Sequence, residues 1–532
     1  MSNQAAQKNK EERLEQDIAL LDDLLGVEAR KPGKAASLPA AIRIIEILEP
    51  AGGKQVPVFP ASYAGANDQF PPVYDLSGIE YGEGEDLVRV KGGKTASVPR
   101  ITRAKFCSID SPQSQANRME PAFLECDDLK QLVPQVNALI PRRPDAEPAS
   151  SVLTLPHRVA DFRVRLSDRA PEVSAAITAF SKGNCLPLLK SFPTSLIFGF
   201  WNSRGEDEQG VKHARILLAR IDATNVIPCR RHSLYSGPYS KDEFAEAVLQ
   251  RPITDDEAKK LSKEGFSAAP SDGLGGVIVN GTIERLSLLS LTDIARLQCK
   301  MPEQTSNSEV ASDKPVDQPP TAEQLTNAAR RYIFALAAIA EGHERSKGSH
   351  RLRSGCELVA VEKLENGEPQ KIEDRFEFRG TKPTNGDALK QLYFSRERLI
   401  AVARYSMILL GIKADAVNYN VTAATLTGEI VSADQAAKER LKVETEAKGA
   451  SDKATRANQD AEKAEKKANE SGLVADTKKA EKARKKASDL QAKADELTKK
   501  LEALSPANTS FVSSKVGAQT KTKEPFDSVP PA

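Results

Sequence analysis

The sequence predicts an α+β fold that ends in a separate helical hairpin. Three observations predict it. Between about residues 40 and 300, apolar and polar residues alternate in short runs bounded by Gly, Pro and Asn, as strands require. Helical spacing separates those runs, at 112–123 and again at 321–341. From 447 to 468, alanines recur at alternating steps of three and four, which is a heptad seam built from the smallest apolar side chain.

Bulk composition bounds the rest. A chain of 532 residues exceeds one ordinary core, so two to four domains, or one elaborated domain with appendages, are expected. The formal net charge is only +2, so any basic surface must be local. Six scattered cysteines without a CxxC pair read as reduced thiols of a cytoplasmic protein. Cys229 and His232 have ligand-like spacing but no second pair, so neither a metal nor a cofactor is expected. No apolar run approaches the ~20 residues of a membrane span, and MSNQAAQKNKEERLEQ does not read as a signal peptide.

Residues 1–35 form an N-terminal arm. Leu14, Ile18, Leu21, Leu24 and Leu25 follow helical spacing and Gly26 is a natural stop, so this helix seeks a groove on its own core or on a neighbour. A core is expected over 36–430. AIRIIEILEP (41–50) alternates as a strand and turns at Pro50–Gly53. Residues 63–81 read as loop or short strands, and LVRVKGG and ASVPRITRAKFCSID as strands. These deliver the chain to SPQSQANRME (111–120), the most informative segment. Ser111, Gln113, Ser114, Gln115, Asn117 and Arg118 bring many hydrogen-bond donors and acceptors but one charge, which suits a polar polymer such as RNA. The same residues also fit an ordinary helix N-terminus capped at Asp110 or Ser111, with Ala116, Met119, Ala122 and Phe123 as its buried stripe. That alternative leaves the amide-rich exposed face unexplained.

His157 and Arg158 stand at a second polar junction, between a strand-like run and alternating Phe162, Val164 and Leu166. FPTSLIFGFWNSRG (192–205) reads as a buried strand ending in Trp201 and a turn. Residues 212–228 alternate again and carry Lys212, Arg215 and Arg220. A polar, largely helical insertion is expected at 235–266. GLGGVIVNGTIERLSLLSLTDIARL (273–297) reads as a β-hairpin turning at Asn280-Gly281, then a helix. A disordered link is expected at 301–320, followed by an Ala-rich amphipathic helix. GHERSKGSHRLRSGCELVAV (342–361) then reads as a Gly/Ser-rich loop, entering a strand, whose Arg345, Lys347, Arg351 and Arg353 would meet phosphates. Residues 431–505 are expected to form two antiparallel helices joined near Gly472, because the seam changes phase there and resumes at Ala480, Ala483, Ala487 and Leu490. A disordered tail is expected at 506–532.

Several segments together resemble one family: FCSIDSPQSQANRMEPAF, LPHRVADFRVR, TSLIFGFWNSRG with KHARILLARIDATNV, GFSAAP with GGVIVNGTIERLSLLSL, and LRSGCELV. In this order, over roughly 40–425, they resemble the backbone subunit of type I-U (also called I-G) CRISPR Cascade complexes, the Csb-one or "Cas seven" group of RAMP proteins. The arm and the alanine hairpin lie outside that resemblance. It implies an RRM-like, ferredoxin-like core with inserted finger and thumb elements. It implies copies stacked head-to-tail along a CRISPR RNA, with target DNA read by guide pairing and with other Cascade subunits as partners. Residue chemistry and resemblance then make Ser111, Gln113, Ser114, Asn117, Arg118, His157, Arg158, Lys212, Arg215, Arg285, Arg345, Lys347, Arg351 and Arg353 the expected RNA contacts. Two alternatives stay open. One is a RAMP-type endoribonuclease using His157, His213 or His350, although no catalytic set is visible. The other is a scaffold built around the hairpin.

Overall fold

The computed structural model describes residues 2–64, 73–89, 95–139, 149–203, 210–235, 250–252, 254, 256–257, 260, 269–301, 319–364, 367–421, 432–471 and 474–503. The expected link and tail, and most of the expected insertion, lie outside them. The chain forms two compact units: the larger runs, with short interruptions, from the N-terminus to Tyr419, and the smaller contains the C-terminal helices.

The larger unit is built on a nine-stranded antiparallel sheet. Its strands are β1 (Pro39–Pro50), β2 (Leu76–Arg89), β3 (Thr95–Asp110), β6 (Leu217–Tyr235), β7 (Ala269–Val279), β8 (Ile283–Ser290), β9 (Ser349–Arg353), β10 (Cys356–Ala360) and β11 (Phe376–Gly380). The order is β9-β10-β1-β8-β6-β3-β2, with β11 on the β10 side of β1 and β7 on the β8 side of β6. A separate two-stranded ribbon pairs β4 (Phe200–Asn202) with β5 (Val211–His213).

Two readings of the strands need correction. Asn280-Gly281 does not reverse the chain. β8 pairs with Leu217–Ala223 of β6 and β7 with Val226–Tyr235, so β7 and β8 follow one another along the same edge. Asn280 N–H donates to Asn225 O and Gly281 N–H to Thr224 O, which carries the ladder through the Asn-Gly step. A Cβ at Gly281 would stand 2.5 Å from Thr224 O, so glycine is needed there for closeness. The segment before Gly199 is a helix, α3 (Pro193–Phe198), and only then a strand. Six consecutive buried residues carry no period, and Pro193 starts the helix because its missing N–H is no loss in the first turn. Gly199 stops it with φ 76°, and a Cβ there would lie 2.9 Å from His213 O.

The main core lies under α4 (Ala322–Ser346). Thr321 Oγ1 accepts from Gln324 N–H at 3.2 Å and Gln324 Oε1 accepts from Thr321 N–H at 2.8 Å, a capping box. Every residue from Tyr332 to Glu341 is buried, so α4 is enclosed on all sides rather than amphipathic. Helix α1 (Ser2–Leu25) buries Leu21, Leu24 and Leu25 in the same core. Asp17 pairs with Arg398 of α5 (Arg396–Leu409) and Asp22 with Arg331 of α4. The arm therefore docks on its own core through its last two turns.

In the smaller unit, α6 (Ser432–Ser471) and α7 (Val474–Ala503) pack antiparallel. Ala450 and Ala454 meet Ala494, while Ala457 and Ala461 meet Ala487.

Candidate functional site

The SPQSQANRME segment places α2 (Pro112–Met119) at the end of β3. Ser111 Oγ accepts from Ser114 N–H at 3.3 Å and Pro112 occupies the first turn, as the capping rules require. Gln115, Ala116 and Met119 turn inward; Asn117 is exposed and Ser111, Gln113, Ser114 and Arg118 are half-buried.

Beneath α2 lies a continuous buried polar network. Asp110, fully buried, accepts from Gln115 at 2.8 Å, Arg118 at 3.2 Å and Arg353 at 2.8 Å. Arg118 also donates to Leu352 O, and Arg353 to Phe59 O and Ile109 O. Gln115 Oε1 accepts from Arg285, whose Nη1 donates to Glu341 at 3.0 Å and lies 3.8 Å from Glu46. Glu46 in turn faces His350 at 3.3 Å, and Glu344 approaches the other ring nitrogen at 3.6 Å. Burial works against a charged His350, but its two carboxylate partners outweigh it and raise the pKa above the usual histidine range. Burial alone would raise Glu344, yet His350 and Lys347 pull it down to about 2.

A second network fixes the residues beside α2. Arg158 is 1% exposed and holds a left-handed backbone at φ 53°, an arrangement that strains a side chain with a Cβ. Its guanidinium donates to Glu120 at 2.7 Å, to Pro156 O and Gly199 O at 3.4 Å, and to Asn117 Oδ1 at 3.3 Å. It also lies over the Phe198 ring at 5.4 Å. Burial pushes the Glu120 carboxyl up to about 7 against the pull of Arg158.

These networks support a polar surface. Gln113 Oε1 accepts from Arg215, and Gln113 Nε2 donates to Pro156 O at 3.1 Å and Asn117 Oδ1 at 3.4 Å. His157, next to Pro156, is exposed. Two residues beyond Gly199, Trp201 is 66% exposed and stands directly across the β4–β5 ribbon from exposed Lys212. Amides, two cations, an imidazole and an indole thus share one region of the surface, above the buried networks of Asp110 and Arg158.

The expected contacts therefore separate into two sets. Gln113, Asn117, His157, Lys212 and Arg215 sit together near the surface, with Ser111 and Ser114 on the same helix. Arg118, Arg158, Arg285 and Arg353 are committed to internal partners, and Arg285, 1% exposed, cannot reach a ligand with the core closed. The expected basic loop is instead the end of α4 followed by the β9–β10 hairpin. There Arg345 pairs with Glu341 and covers the Phe394 ring, and Lys347 pairs with Glu344; Arg351 alone of the four has an exposed side chain without an ion pair among the described residues. Composition marks cations but not their partners: Glu341 and Glu344 claim Arg345 and Lys347 from within the same helix, and Asp110 claims Arg353 from a distant strand. Residues 158–165 form short helical turns rather than a strand, which is what exposes His157.

The histidines of the nuclease alternative occupy different settings. His213 Nε2 sits 2.8 Å from Leu196 O among Phe180 and Phe200, and burial lowers its pKa. His350 is enclosed by two carboxylates, and only His157 is exposed. Among the described residues, no group of three His, Cys, Asp or Glu could hold a metal; the His232 side chain lies outside them. No helix among the described residues is long and apolar enough to cross a membrane. Sequence reasoning missed Trp201 as a surface aromatic. The signal was a lone Trp two residues after Gly199 and followed by the polar pair Asn202-Ser203.

Residues 42–228 match the model of the family described as CRISPR-associated protein GSU0053 (Cas_GSU0053), which supports assignment to a CRISPR-associated protein family. No curated protein matches the chain.

Proposed function

We propose that this chain is a CRISPR RNA-binding backbone subunit of a type I Cascade complex, of the Csb-one group. Copies would stack head-to-tail along the guide and present it for pairing with target DNA, together with other Cascade subunits, in the cytoplasm. The observation that carries the reading is the Gln113–Asn117–Arg215 cluster, with His157, Trp201 and Lys212 beside it. Neutral amides and a few cations on a rigid support suit ribose, phosphate and base edges, and sequence is then left to guide pairing. The family match spans all six of these residues. Topology supports an RRM-like core: β1, α2, β6, β8, α4 and β10 follow one another as strand, helix, strand, strand, helix, strand, and the sheet order β10-β1-β8-β6 brings the first and last strands together. The role is retention of RNA rather than its cleavage.

Purifying the chain from cells that carry the matching CRISPR array tests this. A bound small RNA of uniform length is expected, intact in the presence of divalent metal. N117A/R215A/K212A should lose most of that RNA while keeping the circular dichroism of the parent. Equal RNA retention by the triple variant would overturn the site, and progressive shortening of the RNA would favour the nuclease.

A further inference from the structure

The α6–α7 hairpin lies outside the family match and outside the site above, and its charges are unevenly placed. Between Arg456 and Lys486, the half nearest the turn, ten Lys and Arg stand against six Asp and Glu. Over the rest of 432–503, eight stand against nine. The excess is ordered on α7. Lys478, Lys482 and Lys485 follow i, i+4, i+7 spacing, with Lys486 beside them, on the face away from Ala480, Ala487 and Ala494. All four are exposed and none makes an ion pair among the described residues.

A solvated helix does not need this arrangement. Lysines at i, i+3 and i+4 repel, costing about 0.2–0.5 kcal/mol per pair, whereas a Glu four residues before a Lys stabilises, and of these four only Lys485 has one, Glu481. The helix keeps the unfavourable pattern on one face and near-neutral sequence elsewhere. The stripe has a rise of about 6 Å per four residues, so it presents a regular row of ammonium groups. Residues 432–503 contain no Phe, Tyr or Trp. Base stacking, on which single-strand binding relies, is therefore unsupported there, and so is the apolar face that a membrane surface helix needs.

We propose that the lysine stripe of α7 near the hairpin turn is a sequence-independent binding surface for the phosphate backbone of duplex DNA. Each ammonium replaces a condensed counterion on a phosphate, so affinity should carry a steep salt dependence. The surface does not depend on the α2 site holding RNA.

The test uses the full chain, a fluorescent duplex of random sequence and, in parallel, a single-stranded RNA of the same length, titrated between about 50 and 200 mM salt. The K478Q/K482Q/K485Q/K486Q variant should keep its helical circular dichroism, because Gln and Lys have similar helix propensity. Its log-affinity against log-salt slope on duplex DNA should flatten by about 0.9 per lost contact, up to about 3.6. The corresponding Lys→Arg variant should retain the parental slope. N117A/R215A should leave the duplex slope unchanged, which separates this surface from the α2 site. Equal duplex slopes for parent and Gln variant would overturn the proposal. So would flattening confined to the RNA arm, which would assign the stripe to single strands. If the quadruple variant loses helicity, the pairs K478Q/K482Q and K485Q/K486Q are read in the same way, and each should flatten the slope by about 1.8.

Discussion

Helix α4, of 25 residues, and helix α6, of 40, are held by opposite means. α4 is capped at its start, and its own Tyr332, Phe334, Leu336 and Ile339 are buried around its circumference. Between Val443 and Glu470, α6 buries Val443 and a seam of alanines and leaves most other side chains exposed. Fully burying a large apolar side chain is worth ~1.5–3 kcal/mol, while a seam Ala contributes far less, so the shorter helix is the more strongly anchored. The hairpin helices rely on the propensity of Ala, Lys and Glu and on cooperativity with length. The same contrast governs charge. Arg118, Arg158, Arg285 and Arg353 of the larger unit are paired with carboxylates; Lys478, Lys482, Lys485 and Lys486 of α7 are exposed and make no ion pair among the described residues. The four arginines specify structure, and the four lysines are available to a ligand.

The comparison can be broken most decisively at Arg285. R285A leaves Glu341 and Glu46 buried beside an empty space, and removing one partner of a buried pair costs ~3–5 kcal/mol. Urea denaturation should show that loss for the larger unit, with the hairpin transition unmoved. A change under ~1 kcal/mol would mean that the network is open to water and that the two regions differ less than claimed.

A461L addresses the hairpin. Ala461 is fully buried against Ala487, and a leucine there forces the helices apart at a cost of ~1–3 kcal/mol. Helical signal should fall in a separate, earlier thermal transition, while the near-ultraviolet signal of the larger unit, which holds Trp201 and every Tyr, stays fixed. One merged transition would show that the units melt together.

A smaller effect belongs to pH. His350 is raised in the folded state, so its contribution to stability is complete below about pH 6.5, its ordinary value, and declines as pH rises through the folded value. Glu120, raised by burial to about 7, acts with the same sign between its ordinary value of 4.5 and 7, because the folded state binds more protons there. Stability of the larger unit should fall from pH 5 toward 8. H350Q should flatten the part of that fall above about pH 7, beyond the Glu120 value. A parallel profile in the variant would remove His350 from the account.

The smallest effect is on the stripe. K482Q relieves repulsion with Lys478 and Lys486 and should stabilise the hairpin by about 0.2–0.5 kcal/mol per pair. Destabilisation by that substitution would mean that Lys482 is structural.

What could be read from sequence was whatever local spacing controls. The strand at 39–50, the cap at Ser111, the helix after Thr321 and the alanine seam with its phase change at 471–474 depend on neighbours within a few residues. Where period was absent or misleading, context decided. An apolar run at 193–198 became a helix, and Asn280-Gly281 stayed within a ladder because β6 is long enough to pair with both β7 and β8. The site divided in the same way. Sequence picked out the amide-rich face of α2, since polar residues at a helix start are local chemistry. It did not separate Arg215 and Lys212, left near the surface, from Arg118, Arg158, Arg285 and Arg353. That sorting is done by Asp110, Glu120, Glu341 and the carbonyls of Phe59, Gly199 and Leu352, which come from distant parts of the chain. Most of these guanidinium–carboxylate pairs form only after the sheet has formed, because ion pairing needs proximity in space, and proximity across tens to hundreds of residues is a property of the tertiary structure.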